Sequence, residues 1–144
     1  MGPEGRLREM QCCLGATGGI MRALIVEDDV VVQSLLKTYL LHYASELNHE
    51  IEIEVLPDAR RALALLIMGE DVCDVVFFAA QLLDLRGDDI FSLLVKLRPR
   101  IVDNIIFIAG YRDGLVSHFP ELELNILDKP FRYKQLKKAM GDIA

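Results

Sequence analysis

The chain has 144 residues, of which 52% are hydrophobic and 26% charged, a composition typical of one globular domain and not of a disordered segment. Its formal net charge of −6 disfavours nucleic acid as a partner, because a polyanion is repelled at long range. The longest apolar runs, at 62–68 and 75–80, are far shorter than the about 20 residues that span a bilayer, so no membrane anchor is predicted.

The amino-terminal 20 residues are rich in glycine and show neither a helical nor a strand period. They also lack the apolar segment of a signal peptide. We therefore predict a flexible leader over residues 1–20 and one domain over residues 21–144. The cysteines are Cys12, Cys13 and Cys73, an odd number without disulfide or metal-binding spacing, which favours the reducing cytoplasm.

From Met21 onward, short runs of β-branched and aromatic residues alternate with longer helical patterns, which indicates βαβ units and a parallel sheet. Strands are predicted at 22–26, 51–56, 75–78, 105–108 and 124–127. Helices are predicted from residue 30 with Asp29 as N-cap, from 58 to a stop at Gly69, at 88–98, at 113–119, and from Tyr133.

The hydrophobic pattern of the strands predicts which of them are central and which lies at an edge of the sheet. Residues 51–56 alternate apolar side chains with Glu52 and Glu54, which suits a sheet edge. Residues 75–78 and 105–108 are apolar throughout, as expected where helices cover both faces of central strands. The fold class is therefore predicted to be α/β, a doubly wound five-stranded parallel sheet.

In such a sheet, ligands bind at the carboxyl ends of the strands, where the strand order reverses. The first strand is followed by Glu27, Asp28 and Asp29, neighbouring carboxylates that suit a hard cation such as Mg²⁺. The same triplet is equally consistent with a solvated turn and an aspartate cap. Lys129-Pro130 follows the fifth strand, where the lysine can point toward the carboxylates, and we expect a cis peptide bond there.

Together, these segments resemble the receiver domain of bacterial response regulators, the CheY-like family of two-component signalling. The resemblance covers residues 21–144 and rests on Glu27-Asp28, on the segment DVVFFAAQLLDLRGDDIF and on the terminal LDKPF. It implies a flavodoxin-like (βα)5 fold with strand order 2-1-3-4-5. It also implies an Mg²⁺-binding pocket in which an aspartate at the end of strand three accepts a phosphoryl group.

The chain departs from the family pattern at three functional positions. Ala79 stands where the phosphoacceptor aspartate is expected, and a methyl group cannot act as the nucleophile. Ala109 replaces the Ser or Thr that contacts the phosphoryl group, and Ile126 replaces the aromatic switch residue. Three losses in one relay favour a natural pseudo-receiver over a single engineered substitution. Glu27 and Asp28 are then expected to bind Mg²⁺ weakly at most, with Lys129 as their ion-pair partner.

The alternative hypothesis moves the phosphoacceptor to Asp84, because residues 82–85 imitate the usual LLDL motif. This alignment needs a deletion and shortens the loop before Asp88. A small-molecule-binding flavodoxin-like domain is a third class, but the sequence has no glycine-rich phosphate loop.

We therefore expect a non-enzymatic, cytoplasmic interaction module that works without phosphorylation. The resemblance implies that its partner is a histidine kinase, an effector or another receiver, and that a homodimer can form through the fourth helix, strand five and the fifth helix. The residues expected on that partner surface are Arg112, Leu115, Val116, Phe119, Lys134 and Lys138.

Overall fold

The fold is taken from a computed structural model of the chain, which describes residues 19–69, 73–83, 89–110, 114, 116–117, 119–120 and 122–143. Five parallel strands form one sheet in the order β2-β1-β3-β4-β5, which confirms the predicted doubly wound architecture. The strands are β1 (Ile20–Val26), β2 (Glu50–Leu56), β3 (Val75–Ala79), β4 (Ile105–Ala109) and β5 (Asn125–Asp128).

Helices lie on both faces of the sheet. They are α1 (Val30–Glu46), α2 (Ala59–Met68), α3 (Asp89–Leu97), the single turn α4 (Pro99–Val102) and α5 (Tyr133–Ile143), and a 3₁₀ turn (Ala80–Leu82) follows β3. In the predicted helix at 113–119, the described residues Gly114, Val116 and Ser117 are helical, whereas Phe119 is not. No helix in the described ranges is both long and apolar enough to cross a membrane.

Local side-chain chemistry sets the ends of the first two helices. Asp29 caps α1 by accepting a hydrogen bond from the backbone N–H of Val31 at 2.9 Å, and Asp58 caps α2 in the same way. Gly69 ends α2 in an extended conformation, with φ of −73°. A Cβ at this glycine would lie 2.6 Å from the carbonyl oxygen of Leu65, so close backbone approach accounts for the glycine.

The core has two layers, one on each face of the sheet. One layer lies between the sheet and helices α1 and α5, where Leu36, Leu40 and Leu136 are fully buried. The other lies between the sheet and helices α2 and α3, where Phe78, Phe91 and Phe107 meet. Every residue of β3 and β4 is buried, as the sequence predicted for central strands.

The structure corrects several predicted boundaries. Ile20 already belongs to β1, so the strand begins inside the predicted leader. Strand β5 lies one residue later than predicted, because Leu124 packs into the core without joining the ladder. Pro99 does not simply end a helix, since it opens the turn α4 at a position where its missing N–H has no cost.

Candidate functional site

The strand register brings the predicted pocket positions to one edge of the sheet. Val26 pairs with Phe78, and Ala79 pairs with Ile108, so Glu27 lies beside the end of β3. Ala109 pairs with Asp128, and the backbone N–H of Lys129 donates to the carbonyl oxygen of Ala109 at 2.9 Å. The carboxyl ends of β1, β3, β4 and β5 therefore present these positions together: Glu27, Ala79, Ala109 and Lys129.

Glu27 is fully buried, and its side chain is held by its own loop. Its Oε2 accepts hydrogen bonds from the backbone N–H groups of Asp28 and Asp29, each at 3.0 Å. The side-chain amide of Gln33 donates to the carbonyl oxygen of Glu27 at 2.6 Å and ties the loop to α1. The carboxylate is thus fixed in direction before any cation or partner arrives.

The other oxygen of Glu27 faces Lys129. The distance from Lys129 Nζ to Glu27 Oε1 is 3.9 Å, and this oxygen has no hydrogen-bond partner among the described residues. Burial raises the pKa of Glu27, and the backbone N–H of Asp29 and the Lys129 ammonium partly offset that effect. Glu27 and Lys129 thus form a long ion pair, and Glu27 Oε1 keeps an unused acceptor. The expected cis peptide bond between Lys129 and Pro130 is present.

Three of the predicted pocket positions carry only hydrocarbon side chains. Ala79 is fully buried as the last residue of β3, and Ala109 is 3% exposed as the last residue of β4. Ile126 in β5 is half-buried and packs against the α2–α3 side of the core. Asp84, the alternative acceptor, lies outside the described residues, and it is Ala79 that ends β3.

The donor set for a metal ion is small. Asp28 is exposed and adjoins buried Glu27, but within the described ranges no three His, Cys, Asp or Glu side chains are grouped to hold a metal. Mg²⁺ ordinarily takes one or two protein carboxylates and completes an octahedron with water or phosphate oxygens. Here the Lys129 ammonium already faces one carboxylate, and weak Mg²⁺ binding at Glu27 and Asp28 stays a prediction.

The predicted partner surface is described in part. Val116 is 44% exposed, and Lys134 and Lys138 are exposed one turn apart on α5. Phe119 is half-buried with its ring 4.9 Å from that of Phe91, in an edge-to-face contact that makes it mainly a packing residue. The other two positions assigned to this surface, Arg112 and Leu115, lie outside the described residues.

Two polar clusters in the structure were not predicted from the sequence. Glu46 at the end of α1 accepts a hydrogen bond from the Tyr133 hydroxyl, and its Oε1 lies 3.3 Å from Lys137 Nζ, which joins α1 to α5. Near the amino ends of β1 and β3, Asp74 Oδ2 accepts a hydrogen bond from the backbone N–H of Arg22 at 2.8 Å. Burial raises the pKa of Asp74 to about 6. Both contacts join residues more than 50 positions apart, so no local pattern announces them.

No protein-family model matches the sequence, and no curated protein matches it. Solved structures do match. The receiver domain of a sensor histidine kinase from Pseudomonas aeruginosa PAO1, with a magnesium ion coordinated in its active-site cleft, has a TM-score of 0.63 at 17% identity, covering 83% of this chain and 93% of that one.

Two further solved structures agree. A CheY-like receiver domain from Methanospirillum hungatei JF-1 has a TM-score of 0.59 at 23% identity, covering 87% of this chain and 97% of that one. The signal receiver domain of an HD domain-containing protein from Pseudomonas fluorescens Pf-5 has a TM-score of 0.60 at 25% identity, covering 85% and 93%. The chain therefore has the fold of response-regulator receiver domains, the CheY-like flavodoxin fold.

Proposed function

We propose that the chain is a pseudo-receiver, a module of two-component signalling that binds partner proteins without accepting a phosphoryl group. The observation that carries the proposal is Ala79, a buried methyl-bearing residue at the end of β3, beside the acidic corner of the sheet. An acyl phosphate needs a carboxylate at the point of attack, and a methyl group has no lone pair to offer.

The state of the surrounding pocket supports the same proposal. The P. aeruginosa receiver domain coordinates magnesium in its active-site cleft. In this chain the corresponding corner holds Glu27 with one oxygen bound to two backbone N–H groups and the other facing Lys129. Lys129 places a positive charge beside buried Glu27, whose Oε1 keeps one unused acceptor.

The lack of a switching pair points to partner binding as the source of any response. Ala109 has no hydroxyl to follow a phosphoryl group, and Ile126 has no aromatic ring to change position. A partner that binds one conformation better than another can still shift the population of states. We therefore assign signalling to noncovalent contacts with a histidine kinase, an effector or another receiver, in the cytoplasm.

The proposal is tested by incubating the purified chain with Mg²⁺ and acetyl phosphate and measuring its intact mass. The expected spectrum shows no phosphoryl adduct, in the wild type or in Asp84→Asn. The matched positive control is Ala79→Asp, which restores a carboxylate at the end of β3. A stoichiometric adduct on the wild type that disappears in Asp84→Asn would establish the phosphoaccepting alternative and end the proposal.

The partner surface has its own test. Lys134 and Lys138 are exposed, so Lys134→Glu with Lys138→Glu should leave thermal stability nearly unchanged. If this face joins two copies of the chain, sedimentation equilibrium will show a weaker dimer for the double variant. Lys37→Glu with Lys96→Glu, on the exposed sides of α1 and α3, is the control for an equal change in net charge.

A further inference from the structure

The outer edge of the sheet at β2 is open in the described part of the chain. The backbone N–H of Glu50 donates to the carbonyl oxygen of Gly19 at 2.8 Å, so Glu50 and every second residue after it bond to β1. The intervening residues point their N–H and C=O groups away from the sheet: Ile51, Ile53 and Val55. These groups form a row to which another strand can be added.

Acidic and apolar side chains alternate along this edge. Glu50, Glu52 and Glu54 are exposed on the α2 side, whereas the alternate apolar residues pack toward α1. Glu52 pairs with Arg22 of the neighbouring strand at 3.0 Å. Within the described ranges neither Glu50 nor Glu54 has an ion pair, and three carboxylates in one row repel one another.

A groove lies beside this row of carboxylates, between β2 and the carboxyl end of α2. Its volume is about 480 Å³, and its lining includes Glu52, Glu54, Leu65, Leu66, Gly69 and Cys73. Leu65 is 48% exposed and gives the groove an apolar wall opposite the carboxylates. Such a surface suits Lys or Arg side chains, which lay their hydrocarbon stem on apolar groups and direct their charge to a carboxylate. Arg22 also lines the groove and already makes this contact with Glu52.

We propose that the β2 edge and this groove bind an extended segment of a partner protein in which Lys or Arg alternates with apolar residues. The segment adds a sixth strand beside β2, with its basic side chains toward the glutamates and its apolar side chains continuing the α1 face. A second copy is disfavoured, because pairing β2 with β2 brings glutamates against glutamates. This site lies at the opposite edge of the sheet from β5 and holds whether or not the chain accepts phosphate.

The probe is a short capped peptide of alternating Lys and Val, labelled for fluorescence anisotropy. A peptide of the same composition with all lysines in one block and all valines in another is the control for charge alone. We expect the alternating peptide to bind at least about tenfold more tightly than the block peptide. Glu52→Lys with Glu54→Lys should weaken binding of the alternating peptide by at least about tenfold.

A proline tests the backbone part of the contact. Ile53→Pro removes one outward N–H but no hydrogen bond to β1, so the strand should persist while the added strand loses a donor. Ile53→Ala is matched to it, because it removes similar side-chain packing and retains the N–H. We expect Ile53→Pro to weaken binding by about tenfold and Ile53→Ala to change it by less than about threefold, with circular dichroism verifying that both variants are folded.

Three outcomes would overturn the proposal. The first is equal binding of the alternating and block peptides, which would assign the contact to charge alone. The second is undiminished binding to folded Ile53→Pro, which would exclude strand addition. The third is a wild-type dimer that dissociates in Ile53→Pro, which would show that this edge binds a second copy of the chain.

Discussion

Restoring a carboxylate at the end of β3 tests the account of the acidic corner quantitatively. Neighbouring strands are about 4.8 Å apart, so Ala79→Asp puts a second buried carboxylate about 5 Å from Glu27. At an effective dielectric constant of about 20, two such charges repel by about 3 kcal/mol. Lys129 offsets the charge of one carboxylate but not of two, so we expect Ala79→Asp to lower the free energy of unfolding by about that amount at neutral pH.

Magnesium should reverse this loss only in the variant. A ligand at about 100 times its Kd stabilises the folded state by about 2.7 kcal/mol. For a chain of this length that corresponds to a rise in Tm of about 10 °C. The assay is thermal unfolding, followed by circular dichroism with and without Mg²⁺, of the wild type, Ala79→Asp and the uncharged, similarly sized Ala79→Asn.

Only Ala79→Asp should gain stability from Mg²⁺, because only it supplies a third carboxylate beside Glu27 and Asp28. A comparable gain in the wild type would show that the corner binds the metal strongly without that carboxylate. A gain in Ala79→Asp no larger than in Ala79→Asn would show that the end of β3 does not face the acidic corner. Either result would refute the reasoning about the pocket.

Three further substitutions probe the surrounding structure. Burial raises the pKa of Asp74 from 3.8 to about 6 and so favours its protonated form. The wild type should therefore lose about 1 kcal/mol of stability as pH rises from 4 to 6, after a discount for partial exposure, and Asp74→Asn should remove that loss in urea unfolding. Lys129→Met should cost about 1–2 kcal/mol at pH 7, and adding Glu27→Gln should recover most of it. Arg98 donates to the carbonyl oxygens of Ile67 and Gly69, so Arg98→Ala should cost about 1–3 kcal/mol, whereas Arg100→Ala on the exposed turn should cost little.

For each of these substitutions, one result would contradict the expected effect. If the stability of Asp74→Asn depends on pH as that of the wild type does, Asp74 does not cause the loss of stability. A Lys129→Met variant as stable as the wild type would show that the 3.9 Å ion pair contributes nothing to stability. Equal costs for the two arginine variants would mean that capping of α2 is not what Arg98 provides.

The hydrophobic pattern of the strands predicted which strands are central, whereas the order 2-1-3-4-5 was implied by the resemblance to receiver domains and is confirmed. The uninterrupted apolar residues of β3 and β4 predict central strands, and the alternation of glutamate with Ile or Val in β2 predicts an edge. Strand ends were less certain, because an apolar side chain such as Leu124 reports burial and not backbone pairing. The strand therefore begins at Asn125, one residue beyond the predicted start.

The site was predictable in its position and not in its contacts. Parallel strands bring their carboxyl ends to one edge, so Glu27, Ala79 and Lys129 had to converge. The Glu27 carboxylate accepts hydrogen bonds from two backbone N–H groups. This contact depends on the dihedral angles of the loop, which residue types alone do not predict. For Phe119, helical spacing alone did not distinguish an exposed partner contact from the observed packing against Phe91.

A pseudo-receiver has no acceptor for a phosphoryl group in its acidic corner. The most direct measurement is the ¹H–¹⁵N spectrum of the wild type in Mg²⁺, before and after addition of beryllofluoride, which mimics an acyl phosphate on aspartate. We expect that beryllofluoride causes no set of amide shifts that converges on Glu27, Ala79, Ala109 and Lys129. Saturable shifts centred on those four residues would contradict it.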